Sequence, residues 1–217
     1  MEVALGRRSL VSERRSQLID AYYRCIARRG LESCTMKSIA REAGMATSIV
    51  THYFGTMEEL TREFISRFLE MYKGLIFNQL EEAKDPEEKL EKLLSILFSE
   101  EILTDDFNRA YTDVLHHASQ DNKVRVAVRE AMQDCYSILI DTFKEVAEPK
   151  TIPAEDLKRM AVTVMSLATG TLIHKGVSPD IVCPSMALDM ALDLLKSFLK
   201  GSAGINRIAP EAARGIT

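Results

Sequence analysis

The sequence predicts an all-α protein of about nine helices, and three observations lead to that prediction. Apolar residues recur at spacings of three and four along most of the 217 residues, which is typical of helices with one buried face. Glycine, proline and capping residues separate these periodic segments. No segment shows the sustained alternation of apolar and polar residues that a half-buried strand requires.

Composition and charge narrow the class of protein before any motif is considered. The hydrophobic content of 46% is ordinary for a globular protein. No apolar run approaches the ~20 residues that cross a bilayer, and the N-terminus lacks the apolar block of a signal peptide, so no membrane partner is expected. Four dispersed cysteines without a CxxC pair indicate free thiols in a reducing cytoplasm rather than disulfides or a zinc site.

The charge is divided unevenly between the two ends of the chain. The overall net charge is −4, yet residues 1–57 carry nine basic and five acidic side chains, a net of +4. Residues 58–217 therefore carry −8. A basic head on an acidic body favours phosphate binding by the head.

Start and stop residues divide the first third of the chain into four helices. Thr35 and Thr56 stand where the second and fourth helices need an N-cap. Gly30, Gly44 and Gly55 stand where helices end, and Gly44 suits a tight turn because glycine tolerates positive φ. The predicted spans are 12–29, 36–42, 47–53 and 57–80. The residues predicted to face inward include Leu18, Ile19, Tyr22, Cys25, Ile26, Ile39, Ala40, Ala43, Ile49, Val50, Phe64, Phe68, Tyr72 and Phe77.

The remainder of the chain divides in the same way into five more helices. Pro86, Pro153 and Pro184 occupy the starts of three of them, where proline is favoured. Gly176 and Gly201 are predicted to close the eighth and ninth helices. The predicted spans are 86–99, 105–119, 122–146, 153–175 and 184–200.

The segment 35–60 has the outline of a helix-turn-helix. A helix that enters the major groove of DNA needs small or polar side chains on its outer face, and the third helix provides them. Neighbouring hydroxyl and basic groups are suited to phosphate contacts. The predicted DNA-binding residues are Thr35, Lys37, Thr47, Ser48, Thr51, His52, Tyr53, Arg14 and Arg15. The alternative is a short solvated helix without a ligand.

The run from Leu18 to Leu60, with IAREAGM, IVTHYFG and EEL, resembles the DNA-binding domain of the tetracycline-repressor (TetR) family. SIVTHYFG is most similar to the betaine-repressor (BetI) branch. The resemblance implies a homodimeric transcriptional regulator, commonly a repressor, that binds a pseudo-palindromic double-stranded operator and is released by a small molecule. The sequence departs from the family at Ala46, usually Ser or Thr, and at Met57, usually Lys, so two phosphate contacts are missing.

The resemblance also implies a DNA-binding head (1–57) and a sensing and dimerisation body (58–200), and the composition of 201–217, rich in Gly, Ala and isolated charges, predicts a flexible tail. Members of the family dimerise through their last two long helices, and the eighth and ninth helices carry broad apolar faces with small residues. The predicted interface is Val164, Leu167, Ala168, Thr171, Ala187, Met190, Ala191, Leu194 and Phe198. Periodicity alone fits the core of a single subunit equally well.

The resemblance places a pocket for an unidentified effector among helices four to eight. The candidate residues are Phe68, Tyr72, Phe107, Tyr111, Asp113, His116, Tyr136 and Met165. Aromatic and methionine stripes of this kind usually fill a core. Asp113 and His117 have the spacing of metal ligands on a helix, but no further His or Cys is suitably placed, so we expect no metal and no cofactor.

Two other classes of function compete with that of a regulator. A helical enzyme would need a nucleophile with its base or a cofactor loop, and the sequence has no glycine-rich phosphate loop, GxSxG or HExxH. A DNA-binding protein without a sensor would not need so large an acidic body. The sequence therefore favours a cytoplasmic, ligand-responsive DNA-binding protein that is not an enzyme.

Overall fold

The computed structural model describes residues 2–147 and 152–199, with side chains described for 10–147 and 152–198. Within these ranges the chain forms nine α-helices, one 3₁₀ turn (Leu31–Ser33) and no strand, so the predicted all-α class is confirmed. The helices are α1 (Glu2–Arg29), α2 (Met36–Glu42), α3 (Thr47–Phe54), α4 (Met57–Leu80), α5 (Pro86–Leu97), α6 (Asp105–Gln120), α7 (Asn122–Val146), α8 (Ala154–Val177) and α9 (Pro184–Leu199).

Capping chemistry sets the boundaries of the helices in the head. Thr35 caps α2 by accepting a hydrogen bond from the N–H of Ser38 at 3.1 Å, and Thr56 caps α4 by accepting one from the N–H of Glu59 at 3.2 Å. In both cases the N3 side chain accepts a hydrogen bond from the N–H of the cap, which completes a capping box. Gly44 has a φ of 66°, which only glycine adopts readily, and it turns the chain between α2 and α3. The predicted caps are confirmed.

Three predicted helix ends are wrong. Helix α1 begins at Glu2 rather than Ser12, because extending a formed helix costs far less free energy than nucleating one. Helix α5 ends at Leu97, two residues earlier than predicted. Helix α8 continues through Gly176, where a Cβ would overlap the side chain of Asn108, so this glycine permits close packing instead of ending the helix. The predicted stop at Gly201 and the predicted loose tail lie outside the described residues.

A column of aromatic rings joins the core of the head to the core of the body. Tyr22 on α1 contacts Phe64 on α4 with 5.1 Å between ring centroids, and Phe64 stacks on Phe68 at 5.9 Å. Phe68 contacts Phe107 on α6 at 5.1 Å, and Phe107 stacks on Tyr111 at 6.1 Å. Because these side chains are buried or nearly so, α4 packs into both parts of the molecule at once.

Two residues predicted to face inward are exposed. Phe77 is 42% exposed, because Ile76, only 1% exposed, continues the four-residue spacing from Phe64 through Phe68 and Tyr72. Ile49 is 36% exposed on α3.

All four cysteines are free thiols, as predicted. Cys25, Cys34 and Cys135 are buried, and burial raises the pKa of the Cys34 thiol to about 12 and that of Cys135 to about 11. The exposed Cys183 has a lowered pKa because its sulfur is hydrogen-bonded to the hydroxyl of Ser185. No helix in the part of the chain that the structure describes is long and apolar enough to cross a membrane.

Candidate functional site

Helix α3 presents a continuous polar face to solvent. Val50 and Phe54, at 0% and 4% exposure, anchor the helix to the core of the head through one side. The opposite side carries the exposed residues Thr47, Ser48, Thr51 and His52, which we call the α3 polar face. The structure therefore brings together the four residues that the sequence predicts for contacts to bases.

The first turn of α3 is left without a side-chain cap. Ala46 occupies the N-cap position and forms no side-chain hydrogen bond, in contrast to Thr35 and Thr56 in the equivalent positions of α2 and α4. The N–H of Ile49 donates to the carbonyl oxygen of Ala46 at 3.0 Å, so the first-turn N–H groups available to an anion are those of Thr47 and Ser48. An alanine here removes a hydroxyl but leaves the backbone donors open to a phosphate oxygen.

A surface groove of about 590 Å³ runs beside the start of α3. Its lining residues are Arg14, Gly44, Met45, Ala46, Ser48, Ile49, His52 and Tyr53. Arg14 projects into this groove from α1, and its exposed guanidinium donates to Gln17 Oε1 at 2.9 Å. The groove thus combines a cation with the positive end of a helix, which suits a phosphate group.

Ile49 is the residue of this surface that the sequence analysis placed wrongly. Helical geometry puts it one residue away from Val50 and therefore about 100° around α3, where 36% of it is exposed next to the polar face. An apolar side chain at this place is suited to the C5-methyl group of thymine. The four-residue spacing of Val50 and Phe54 is the pattern that identifies the inward side and so excludes Ile49 from it.

The predicted phosphate contacts at the start of α2, Thr35 and Lys37, are exposed. Thr35 uses its side-chain oxygen to cap α2. Lys37 lies one residue into that helix and is exposed. Tyr53 is half-buried at the end of α3, with its ring edge-on to His52 at 5.3 Å.

Arg15 differs from the other predicted DNA contacts because its guanidinium has internal partners. It is half-buried and forms hydrogen bonds with Glu63 and with the backbone carbonyl of Tyr53. Its Cζ atom also lies 4.5 Å from the centroid of the Phe54 ring. Three of the five N–H donors of Arg15 are therefore used within the subunit, whereas Arg14 beside it lines the groove.

A small cavity lies between α4, α6, α8 and the segment that joins α5 to α6. Its lining residues are Tyr72, Leu97, Ile102, Leu103, Phe107, Tyr111, Ala168, Thr169 and Leu172, none of them charged. The space is about 10 Å³, which is room for about one water molecule. Burial raises the pKa of the Tyr72 and Tyr111 hydroxyls and outweighs the smaller lowering of the Tyr111 pKa by Thr169, so both phenols remain neutral at physiological pH. The cavity offers aromatic rings and neutral hydroxyls to a ligand.

The structure separates the eight predicted effector residues into three groups. Tyr72, Phe107 and Tyr111 line the cavity, and Phe68 packs behind Phe107. Met165 is buried and Tyr136 half-buried, but neither lines the cavity.

The placement of Asp113 and His116 in the pocket is wrong. Both lie on the side of α6 that packs against α1, because the side that carries Phe107 and Tyr111 faces α4 and α8. Asp113 Oδ2 accepts a hydrogen bond from the N–H of Leu31 at 2.7 Å, which joins the body to the end of α1. The His116 side chain is 60% exposed, with Nε2 3.7 Å from a carboxylate oxygen of Glu32. Among the described residues no three potential ligands are grouped to hold a metal ion.

The predicted dimer interface also needs correction. Five of its nine residues are buried within their own subunit, namely Val164, Ala168, Thr171, Ala187 and Ala191. Leu167 and Phe198 are half-buried, and only Met190 (50%) and Leu194 (45%) are well exposed. Helix α8 is apolar on several sides, so periodicity does not show which side neighbouring helices cover.

An exposed apolar surface nevertheless exists on the outer side of α8 and α9. We call it the α8/α9 face, and it consists of Val162, Ile173, Val177, Met186, Met190 and Leu194. Each of these side chains is at least 39% exposed. A set of large apolar side chains this exposed is typical of a protein–protein interface.

Two family profiles match the chain. Residues 18–64 match the profile described as bacterial regulatory proteins of the tetR family, and residues 86–200 match that described as the BetI-type transcriptional repressor C-terminal domain. The first match contains α2, α3 and their turn, and the second contains the cavity-lining residues of α6 and α8.

Individual relatives agree with these profiles along most of the chain. The transcriptional regulator BetI of Agrobacterium fabrum is 27% identical over 192 residues, covering 87% of this chain and 91% of its own. BetI of Brucella suis is 23% identical over 188 residues and covers 87% and 92%. The family and these relatives are transcriptional regulators, not enzymes.

Solved structures share the fold. A transcriptional regulator from Saccharomonospora viridis in complex with choline has a TM-score of 0.75 at 19% identity, over 85% of this chain and 96% of its own. The regulator FadR from Bacillus subtilis in complex with stearoyl-CoA has a TM-score of 0.65 at 19% identity, over 86% and 98%. At these identities the likeness establishes the fold alone.

Proposed function

Since the chain belongs to the TetR family of bacterial regulatory proteins, with a C-terminal domain of the BetI type, we propose that it is a homodimeric repressor released from its operator by a small molecule. The observation that carries the proposal is the α3 polar face beside the groove that holds Arg14. It provides base contacts and phosphate contacts on one surface. The head (1–57) acts in the cytoplasm on double-stranded DNA, and the body (58–200) senses and dimerises.

The homodimer forms through the α8/α9 face. Met190 and Leu194 point to solvent in one subunit, and a two-fold axis through this face would cover the same side chains on both copies. The two α3 helices then meet successive major grooves about 34 Å apart. The operator is therefore an inverted repeat with half-site centres about 10–10.5 base pairs apart, or a multiple of that distance.

A small organic cation fits the cavity better than an acyl-CoA does. Three aromatic rings face the cavity, and their centroids are at most 6.4 Å apart: Tyr72, Phe107 and Tyr111. Aromatic faces attract quaternary ammonium groups. The described lining residues include no Lys or Arg that could neutralise the phosphates of an acyl-CoA. Choline, the ligand of the Saccharomonospora viridis regulator, is the effector class that we propose.

Release from DNA follows from the position of α4. This helix starts at the end of α3, and its residue Tyr72 lines the cavity. Because the cavity has room for about one water molecule, a larger ligand must displace Tyr72 or its neighbours. A ligand that prefers the displaced arrangement of α4 shifts the population towards a different spacing of the two α3 helices.

Selection of DNA by the purified protein tests the proposal. From a library of random duplexes the wild type should enrich an inverted repeat with the spacing given above. Ser48→Asp places a negative charge on the α3 polar face and should abolish selection. Ser137→Asp, at an exposed position of α7, is the matched control and should select the same sequence. Enrichment of no common sequence by the wild type would contradict operator binding.

Thermal denaturation tests the effector class. Choline should raise the melting temperature, because a ligand that binds only the native state stabilises it, and it should weaken binding to the selected duplex. Tyr72→Phe keeps the ring and should keep the response, whereas Tyr72→Leu should lose it. A response to stearoyl-CoA but not to choline would refute the cationic class, and a response to neither would favour a DNA-binding protein without a sensor of these ligands.

A further inference from the structure

The side chain of Arg15 is held between the recognition helix α3 and helix α4. Its Nε donates to Glu63 Oε1 at 3.2 Å, and one terminal nitrogen forms a second, shorter hydrogen bond to Glu63 Oε2. The other terminal nitrogen donates to the carbonyl oxygen of Tyr53 at 2.5 Å. Three of its five N–H donors are thus hydrogen-bonded within the subunit, and the guanidinium carbon lies 4.5 Å from the ring centroid of Phe54.

The Tyr53 carbonyl is one of the groups that α3 cannot satisfy by itself. The last carbonyls of a helix lack intrahelical donors and carry the negative end of its dipole. Helix α3 ends one residue later at Phe54, and Gly55 turns the chain with a φ of 67°. A cation on α1 therefore caps the C-terminal end of α3.

Glu63 connects this cap to α4. Its carboxylate is shared between Arg15 and Arg67, whose guanidinium lies 3.3 Å away on the next turn of α4. The side chains of Arg15 and Glu63 are only 32% and 25% exposed, so solvent screens their attraction less than it would screen a surface pair. A rotation of α4 that displaced Glu63 would pull on Arg15 and hence on the end of α3.

We propose that Arg15 is a positioning residue, which together with Glu63 fixes the angle of the recognition helix relative to α4 and does not contact DNA phosphates. We call this arrangement the Arg15 clamp. The inference rests on the proposed operator binding and adds to it the element through which a movement of α4 reaches α3. Arg14, the preceding residue, lines the groove beside α3 and is the phosphate contact of the pair.

The salt dependence of DNA binding distinguishes the two roles. The equilibrium constant is measured against salt concentration for the duplex that the wild type selects and for an unrelated duplex of equal length. Removing a phosphate contact lowers the slope of log K against log salt by about 0.9 per contact. Arg14→Met should lower the slope for both duplexes in this way.

Arg15→Met should behave differently from Arg14→Met. We expect a loss of about tenfold for the selected duplex at every salt concentration, the same slope, and little change for the unrelated duplex. Arg15→Lys should resemble Arg15→Met, because an ammonium group cannot form the bidentate pair and the cap together. A phosphate contact, in contrast, would survive replacement by lysine. A subunit that merely failed to fold would lose affinity for both duplexes equally.

For Glu63→Gln, a purely electrostatic explanation and the Arg15 clamp predict opposite changes in DNA affinity. Removal of a negative charge should strengthen binding to DNA if only electrostatics mattered, whereas loss of the clamp should weaken binding to the selected duplex. The double variant Arg15→Met, Glu63→Gln should bind no more weakly than Arg15→Met alone, because both changes break one interaction. Additive losses, or a lowered slope for Arg15→Met, would overturn the clamp.

The proposed function and the clamp fail in different ways. A wild type that does not distinguish any selected duplex from unrelated DNA overturns operator binding and the clamp with it. A wild type that does distinguish them, with Arg15→Met and Glu63→Gln unchanged in affinity, overturns the clamp alone.

Discussion

The hydrogen bond from the N–H of Leu31 to Asp113 provides a measurable link between the head and the body. The N···O distance is 2.7 Å, and the Leu31 residue is only 8% exposed. A hydrogen bond to a charged acceptor contributes about 1.5–3 kcal/mol, and a buried N–H left without a partner has a comparable cost. We expect Asp113→Ala to lower the free energy of unfolding by about 2 kcal/mol, and the melting temperature by about 4–8 °C for a chain of this length.

Asp113→Asn is the informative partner of this substitution, because an amide oxygen keeps an acceptor but loses the charge. It should cost about half as much as the alanine variant. Asp141→Ala is the matched control, since Asp141 is exposed and its ion pair among the described residues is with Lys144, and exposed pairs contribute about 0–1 kcal/mol.

Urea denaturation followed by circular dichroism measures these differences at one fixed protein concentration, because a dimer unfolds in a concentration-dependent way. For Asp113→Ala, the urea concentration at the midpoint of unfolding should fall, while the slope of the unfolding free energy against urea concentration stays constant. If Asp113→Ala unfolds at the same urea concentration as the Asp141→Ala control, the contact does not join the two parts in solution and the reasoning is refuted.

Three further predictions concern DNA binding and assembly. Met57→Lys restores the family's usual cation at the start of α4, so it should tighten operator binding and steepen the slope of log K against log salt by about 0.9 per head. An unchanged slope would mean that residue 57 does not face the phosphates. Ile49 should contact a thymine methyl, so replacing that thymine by uracil should weaken wild-type binding about fourfold and leave binding by Ile49→Ala unchanged. Equal losses of affinity in both proteins would exclude the contact. Leu194→Asp should yield monomers in sedimentation equilibrium and weaken operator binding, whereas Val126→Asp, at a similarly exposed apolar position on α7, should remain dimeric. A dimeric Leu194→Asp would place the interface elsewhere.

Residues that act on their immediate neighbours in the chain were predicted well. Thr35, Gly44 and Thr56 act within one helical turn, so their roles follow from spacing alone, and the helix-turn-helix outline follows from them. Gly176 shows the limit of such reasoning. Glycine is typical of a helix end, but Gly176 lies within α8 and leaves space for the side chain of Asn108 on α6. That contact is not visible in the local sequence.

Which side of a helix is covered depends on neighbours that are distant in the chain. Val164 and Ala191 have the spacing of an interface but fill the core of their own subunit, while Val162 and Met186 face solvent. Asp113 and Tyr111 lie two residues apart on α6, yet one binds the end of α1 and the other lines the cavity.

The helical class, the capped helix-turn-helix and the polar side of α3 follow from the sequence alone, because hydrogen bonding within a turn and the 3.6-residue period are local properties. Three features became visible only in the folded chain: Arg15 bonds to both α3 and α4, Asp113 joins body to head, and the cavity is lined by uncharged residues. Those outcomes depend on residues that are far apart in the chain, such as Leu31 and Asp113, which are separated by 82 positions, and helix packing alone brings such residues together.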